Sequence, residues 1–141
     1  MSTPKLLVTG AAGFIGSHTV IELLAHGFDV IGIDNFCNSN RGVIDRISKL
    51  KTEVLGLTDV EFKHFSMDVR DENALDGLFD QHNVSGVIHF AGLKAVGESQ
   101  SEPLKYYDNN VVGSIILLEE VLKAKVETLS LIHISEPTRP Y

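Results

Sequence analysis

The chain has 141 residues and 43% hydrophobic content, which suits one packed domain. Its formal net charge of −7 and the lack of any basic run exclude nucleic acid as a partner. A single cysteine, Cys37, precludes an internal disulfide, and no apolar run is long enough to span a bilayer, so the chain reads as cytoplasmic with no membrane partner.

Nothing near the N-terminus resembles a signal peptide, since Pro4 and Lys5 precede only a short apolar stretch. Lys5–Thr9 reads as a near-continuously apolar strand, the kind buried on both faces of a parallel sheet. It runs into Val8-Thr9-Gly10-Ala11-Ala12-Gly13-Phe14-Ile15-Gly16, with three glycines each separated by two residues. A helical pattern follows over residues 14–26, with Gly16, Val20, Leu23, Leu24 and Gly27 facing inward and Gly27 as its stop. Strand, glycine turn and helix start together suit a pyrophosphate. Glycines admit close approach, and the first-turn N–H groups point at the anion. Residues 29–33 form the second strand, ending at Asp34, eighteen positions past Gly16. A carboxylate there accepts both ribose hydroxyls of an adenosine and repels a 2′-phosphate, favouring NAD over NADP. Glycine triplets alone are common at turns; the flanking strand, helix and acid make this one a dinucleotide signature. Arg41 reads as a solvated arginine at a helix start, and Cys37 as a neutral loop residue.

Residues 35–40 are a polar loop over the adenosine, and residues 42–51 a helix with Val43, Ile44, Ile47 and Leu50 inward. A third strand is expected over 60–65, then a helix over 71–82 begun by Asp71 and carrying Leu75, Leu78 and Phe79. A fourth strand is expected over 85–90, a long helix over 103–124 with Pro103 in its first turn, and a fifth strand from Val126. This alternation predicts an α/β doubly wound parallel sheet, Rossmann-type, incomplete, with about five strands in the order 3-2-1-4-5. Ligands of such sheets lie beyond the strand carboxyl ends, between the first and fourth strands. Three segments converge there: the glycine turn, Met67-Asp68-Val69 and Phe90-Ala91-Gly92. Asp68 either accepts from an adenine amino group or serves as a loop or capping aspartate. His89 reads as a sheet or core histidine and His18 as a packing residue, and no group of residues has metal-ligand spacing.

Gly16-Ser17-His18-Thr19, Asp34-Asn35, the run Val87-Ile88-His89-Phe90-Ala91-Gly92-Leu93-Lys94-Ala95-Val96-Gly97-Glu98-Ser99 and the run Pro103-Leu104-Lys105-Tyr106-Tyr107-Asp108-Asn109-Asn110-Val111 together resemble the UDP-glucose 4-epimerase family of the extended short-chain dehydrogenase/reductase superfamily. The likeness covers residues 5–127. It implies NAD as cofactor, held by Phe14, Ile15, Asp34, Asn35, Asp68, Val69, Phe90, Ala91, Gly92, Lys94 and Asn109 beside Gly10, Gly13 and Gly16. Phe14 stands where many members carry tyrosine, keeping the ring without the hydroxyl. The implied activity is interconversion of UDP-glucose and UDP-galactose, in galactose metabolism. Hydride leaves C4 of a UDP-hexose and returns to the opposite face, without net redox. Members commonly form homodimers. The alternatives are another nucleotide-sugar epimerase or dehydratase of the same superfamily, or a non-catalytic dinucleotide-binding module.

The family also uses a tyrosine with a lysine four residues on, the lysine lowering the pKa of the tyrosine that takes the sugar hydroxyl proton. Here Asn110 follows Tyr106 at that spacing, Val111 follows Tyr107, and Tyr141 is the last residue, so no catalytic residue is assigned. The stretch Leu129-Ser130-Leu131-Ile132-His133-Ile134-Ser135-Glu136-Pro137-Thr138-Arg139 resembles the translation of a transposase adapter from sequencing libraries. The expected organisation is therefore an incomplete NAD-binding domain over 1–128 and a non-native tail over 129–141. Ser130 and Ser135 are not candidates for the catalytic serine. A chain so organised is expected to bind NAD weakly or not at all and to turn over no sugar.

Overall fold

The computed structural model describes residues 3–131. In chain order the strands are β1 (Lys5–Thr9), β2 (Asp29–Asp34), β3 (Phe62–Ser66), β4 (Gly86–His89) and β5 (Thr128–Leu131). The helices are α1 (Phe14–Ala25), α2 (Gly42–Lys49), α3 (Glu72–Gln81), α4 (Val96–Ser101), α5 (Pro103–Tyr106) and α6 (Gly113–Lys123). All five strands are parallel and lie in the order β3-β2-β1-β4-β5, as expected from the sequence. Leu6 of β1 pairs with Val30 of β2 on one side and Gly86 of β4 on the other. The carboxyl ends of β1 and β4 thus lie side by side where the chain reverses its direction of winding.

Period-two alternation sorts the strand residues onto two cores. Leu7, Ile31, Ile33 and Val87 pack with Leu75, Leu78 and Phe79 of α3 and with Leu117 and Val121 of α6. Val8 and Val30 pack on the opposite face with Val20 and Leu24 of α1 and Ile47 of α2. Helices therefore cover both faces of the sheet.

Local chemistry sets the helix ends. Asp71 caps α3, its side chain accepting the Ala74 N–H at 3.1 Å. Helix α1 ends in a Schellman closure, with Gly27 N–H on the Leu24 carbonyl and Phe28 N–H on that of Leu23. Gly27 is its stop, as read from the sequence, but the residue itself is exposed.

Several boundaries differ from expectation. Helix α2 stops at Lys49, and the chain continues through a π-helical turn over Leu50–Val54. The switch to wider hydrogen bonding rotates the following side chains, so Leu50 is exposed rather than inward. Val60 is buried, but β3 begins only at Phe62, because the Asp29 carboxylate takes the Glu61 N–H at 2.7 Å and draws the approach into a loop. The expected long helix over 103–124 is α5, a π-helical turn over Tyr107–Val112, and α6. Helix α4 was not expected at all. Strand β5 starts at Thr128, because Val126 still closes α6 through its N–H to the Val121 carbonyl. Within the expected tail, Leu129, Ser130 and Leu131 pair with Val87, Ile88 and His89; residues 132–141 lie outside the described residues.

Candidate dinucleotide site

The turn after β1 places the glycines in different roles. Gly10 has φ +67°, a backbone state that side chains rarely adopt, and a Cβ there would lie 2.8 Å from the Ala91 nitrogen. Gly16 has an ordinary φ but no room: a Cβ would lie 2.1 Å from the Gly10 carbonyl oxygen. This absence of side chains lets α1 start directly against the turn. Gly13 precedes the helix with no side-chain cap, and the first helical bond runs from Ser17 N–H to the Gly13 carbonyl. The N–H groups of Phe14, Ile15 and Gly16 therefore have no helical acceptor and face outward at the positive end of the α1 dipole. An anionic diphosphate fits this cradle.

Asp34 ends β2 with only 7% of its surface exposed. One carboxylate oxygen accepts the Ala12 N–H at 2.9 Å; the other accepts the Phe36 N–H and the Ser39 hydroxyl, each at 2.8 Å. The carboxylate is locked to the glycine turn and to the loop after β2. With about four acceptor directions per carboxylate, three protein donors leave room for a ligand donor.

A cavity of about 160 Å³ opens over the strand ends, and Gly10, Gly13, Asp34, Asn35, Val69 and the segment 90–94 line it together with Asn109. Of the sequence-assigned residues, the structure thus gathers Gly10, Gly13, Asp34, Asn35, Val69, Phe90, Ala91, Gly92, Lys94 and Asn109 around one space. Phe14, Ile15 and Gly16 stand beside it at the start of α1, with Phe14 largely exposed and its ring 4.9 Å from that of His18.

Asp68 does not line this cavity. Its carboxylate accepts Nε and Nη2 of Arg70 at 2.9 and 2.8 Å, the Arg70 backbone N–H at 2.9 Å, and Nδ2 of Asn35 at 2.8 Å. The Arg70 side chain holds the Asp68 pKa well below the usual carboxylate range, against the cost of partial burial. Four donors fill its acceptor directions, so Asp68 orients Asn35 and stabilises the loop after β3. Nη1 of Arg70 also reaches Asp108 at 2.5 Å, tying that loop to the turn before α6.

Arg41 is exposed at the start of α2, as read from the sequence, and its guanidinium lies 4.3 Å from the Phe36 ring centroid and donates to the Ser66 hydroxyl. Cys37 is exposed and lines the cavity. Asn38, Leu93 and Asn110 are not among the residues assigned to the cofactor from the sequence. Asn38 and Leu93 line the cavity, and Asn110 clamps Leu93, accepting its N–H and donating to its carbonyl, both at 2.8 Å. The signal for Asn110 was its repeat of Asn109, which sequence alone does not resolve into a lining residue and a clamp. Among the described residues, no group of three or more metal-ligating side chains converges, and no helix is long and apolar enough to cross a membrane.

With this geometry in view, the likeness to known proteins is specific. The family model for GDP-mannose 4,6 dehydratase matches residues 7–136. UDP-glucose 4-epimerase of Neisseria meningitidis serogroup B is 51% identical over 122 residues, covering 86% of this chain and 34% of the relative. UDP-glucose 4-epimerase of Dictyostelium discoideum is 46% identical over 125 residues, covering 89% of this chain and 34% of the relative. The chain thus spans about a third of the length of these curated relatives. The crystal structure of UDP-glucose 4-epimerase from Bifidobacterium longum, in complex with NAD+ and UDP, superposes with a TM-score of 0.82 at 39% identity, covering 97% of this chain and 40% of that one. By sheet order, glycine turn and matched length, the chain belongs to the GDP-mannose 4,6 dehydratase family, alongside UDP-glucose 4-epimerases.

Proposed function

We propose that this chain supplies the NAD-binding part of an enzyme, an isomerase, that interconverts UDP-glucose and UDP-galactose. The observation that carries the dinucleotide-binding part of the reading is Asp34, buried at the end of β2 and bonded to the same turn whose glycines clear space for a diphosphate. NAD would be held with its diphosphate at the first-turn N–H groups of α1 and its adenosine ribose at Asp34, and the segment 90–94 with Asn109 lines the same cavity. When bound, NAD supplies reversible hydride acceptance at C4 of a UDP-hexose. The residues of this chain bind and orient it, and no residue here is assigned to move the sugar hydroxyl proton. The activity rests on the 51% identity to a named epimerase. That level of likeness favours the epimerase over a dehydratase of the same family and over a non-catalytic module.

The domain division belongs to the same proposal: a dinucleotide domain over 1–128, incomplete without the remaining strands and sugar-binding lobe, then a non-native tail. Alone, the chain turns over no sugar. Homodimerisation is supported by an exposed apolar stripe of Leu104, Tyr107, Val111, Ile115, Leu118 and Leu122, at steps of three and four along α5, the π-helical turn over Tyr107–Val112, and α6. The test is a fusion of residues 1–128 to the remaining two-thirds of the Neisseria relative. Epimerisation of UDP-galactose by the fusion, and none by the 141-residue chain, is expected. A folded fusion that retains NAD yet leaves UDP-galactose unchanged overturns the reading.

A further inference from the structure

Thr9 and His89 are the polar side chains most deeply buried in the sheet, at 0% and 2% exposure, and neither was assigned to the cofactor. Their hydrogen bonds run in one direction. The Ser114 hydroxyl has one proton and donates it to the Asn110 carbonyl at 2.6 Å. Its oxygen therefore accepts from His89 Nε2, 3.1 Å away, and the ring carries its proton on that nitrogen. At the other end, the Thr9 oxygen accepts the Ala91 N–H at 3.1 Å, and its hydroxyl lies 2.6 Å from His89 Nδ1. If Nδ1 were also a donor, the Thr9 proton would have no acceptor on the ring inside a closed core, and a buried donor left without an acceptor is costly. Nδ1 therefore accepts. The order is Ala91 N–H to Thr9, Thr9 to His89, His89 to Ser114, and Ser114 to Asn110. Asn110 in turn clamps Leu93 through both its backbone groups, and its side-chain oxygen also accepts from Asn109. Both ends of the segment 91–93 are thus tied to one helical turn.

We propose that His89 is a positioning residue. Through Thr9 and Ser114 it couples the turn of Asn109 and Asn110 to the backbone of residues 91–93, and so sets the wall against which the dinucleotide lies. This rests on the dinucleotide reading above and adds to it a residue that does not itself line the cavity. The π-helical turn over Tyr107–Val112 fits such a role, because wider turns inside helices commonly mark functional positions.

The test uses the full chain with three substitutions: Thr9→Val, which keeps the shape and loses the hydroxyl, Thr9→Ser, which keeps the hydroxyl, and Ser114→Ala. Nitrogen NMR of the histidines is expected to show His89 protonated at Nε2 and bare at Nδ1; the opposite tautomer overturns the relay. Amide exchange at Ala91 is expected to speed up about tenfold in Thr9→Val, and several-fold in Ser114→Ala although Ser114 does not touch Ala91, with the double variant no faster than the faster single one. Ala91 exchange unmoved by Ser114→Ala overturns the coupling. In titrations with NAD+ carried to millimolar concentration, Thr9→Val is expected to weaken binding about tenfold, while Thr9→Ser stays within about twofold at an unchanged melting temperature. Equal NAD+ affinity in Thr9→Val and the unsubstituted chain overturns the positioning role. If the unsubstituted chain takes no NAD+, the same titrations are made on the fusion described above; a folded fusion that takes none overturns the dinucleotide reading, while the tautomer and exchange results still decide the relay.

Discussion

The Asp34 carboxylate accepts the Ala12 N–H at 2.9 Å, joining the end of β2 to the turn that follows β1. Because the same group also holds the Phe36 N–H and the Ser39 hydroxyl, one side chain sets both walls around the expected adenosine site. Asp34→Asn replaces one acceptor by a donor that faces an N–H or hydroxyl. It is expected to cost about 1–3 kcal/mol of stability in urea unfolding and to lower NAD affinity by about tenfold or more in calorimetric titration.

Two glycines in helices provide opposite expectations from the same substitution. Gly16→Ala drives a methyl group to 2.1 Å from the Gly10 carbonyl oxygen, so α1 must move off the turn. A loss of at least about 1–3 kcal/mol follows. Gly77, inside α3, has nothing within 4 Å of an added Cβ. Gly77→Ala is expected to gain about 0.5–1 kcal/mol through helix propensity alone. Thermal melts of the two variants, compared side by side, check both signs.

Lys125 closes α6 at φ +55°, its N–H on the Leu122 carbonyl and the Val126 N–H on that of Val121. This is the left-handed position that glycine fills without penalty. Lys125→Gly is expected to raise the unfolding midpoint by the equivalent of about 0.5–1 kcal/mol, reduced in part by the greater freedom of glycine in the unfolded chain.

His64 lies in β3 with its ring 5.3 Å from that of Phe36, and burial lowers its pKa below 6.5. The unfolded chain therefore takes up the proton first as pH falls. The contribution of His64 to stability is complete above about pH 6.5 and declines below it until the folded state also titrates. Urea midpoints measured across this range are expected to fall with pH, and His64→Phe to flatten part of that fall.

The apolar stripe along α5 and α6 makes the oligomeric state testable. Leu118→Glu puts a charge within the stripe at a residue that does not line the cavity. Sedimentation of the fusion protein used for the activity test is expected to shift from dimer toward monomer, with the far-ultraviolet circular dichroism unchanged.

Much of the architecture was legible because its signals are local. Apolar runs at 5–9 and 29–34, helical periodicity after Gly13, and Gly27 at a helix end each depend on a few adjacent residues. Strand order followed from the alternation of strands and helices, which is that of a doubly wound sheet with right-handed crossovers. The gathering of Gly10, Asp34 and residues 90–92 followed in turn, since the sheet brings their strand ends together. Other features depended on partners distant in the chain. Helix α4 is held from outside, its Ala95 N–H reaching the Tyr106 hydroxyl and that hydroxyl donating to Glu98. In sequence Asp68 reads either as an adenine acceptor or as a loop or capping aspartate, and the contact in which Arg70 folds back onto it while bridging to Asp108 is visible only in the fold.

The alternating elements, the glycine turn and the acid at the end of β2 are readable along the chain, because periodicity, backbone freedom and side-chain charge are properties of neighbouring residues. Which polar groups remain available to a ligand was settled by packing. Hydrogen bonds between Thr9 and His89, Asp34 and Ala12, and Asn110 and Leu93 cross between elements, and their formation depends on how closely the packed sheet and helices bring those atoms together.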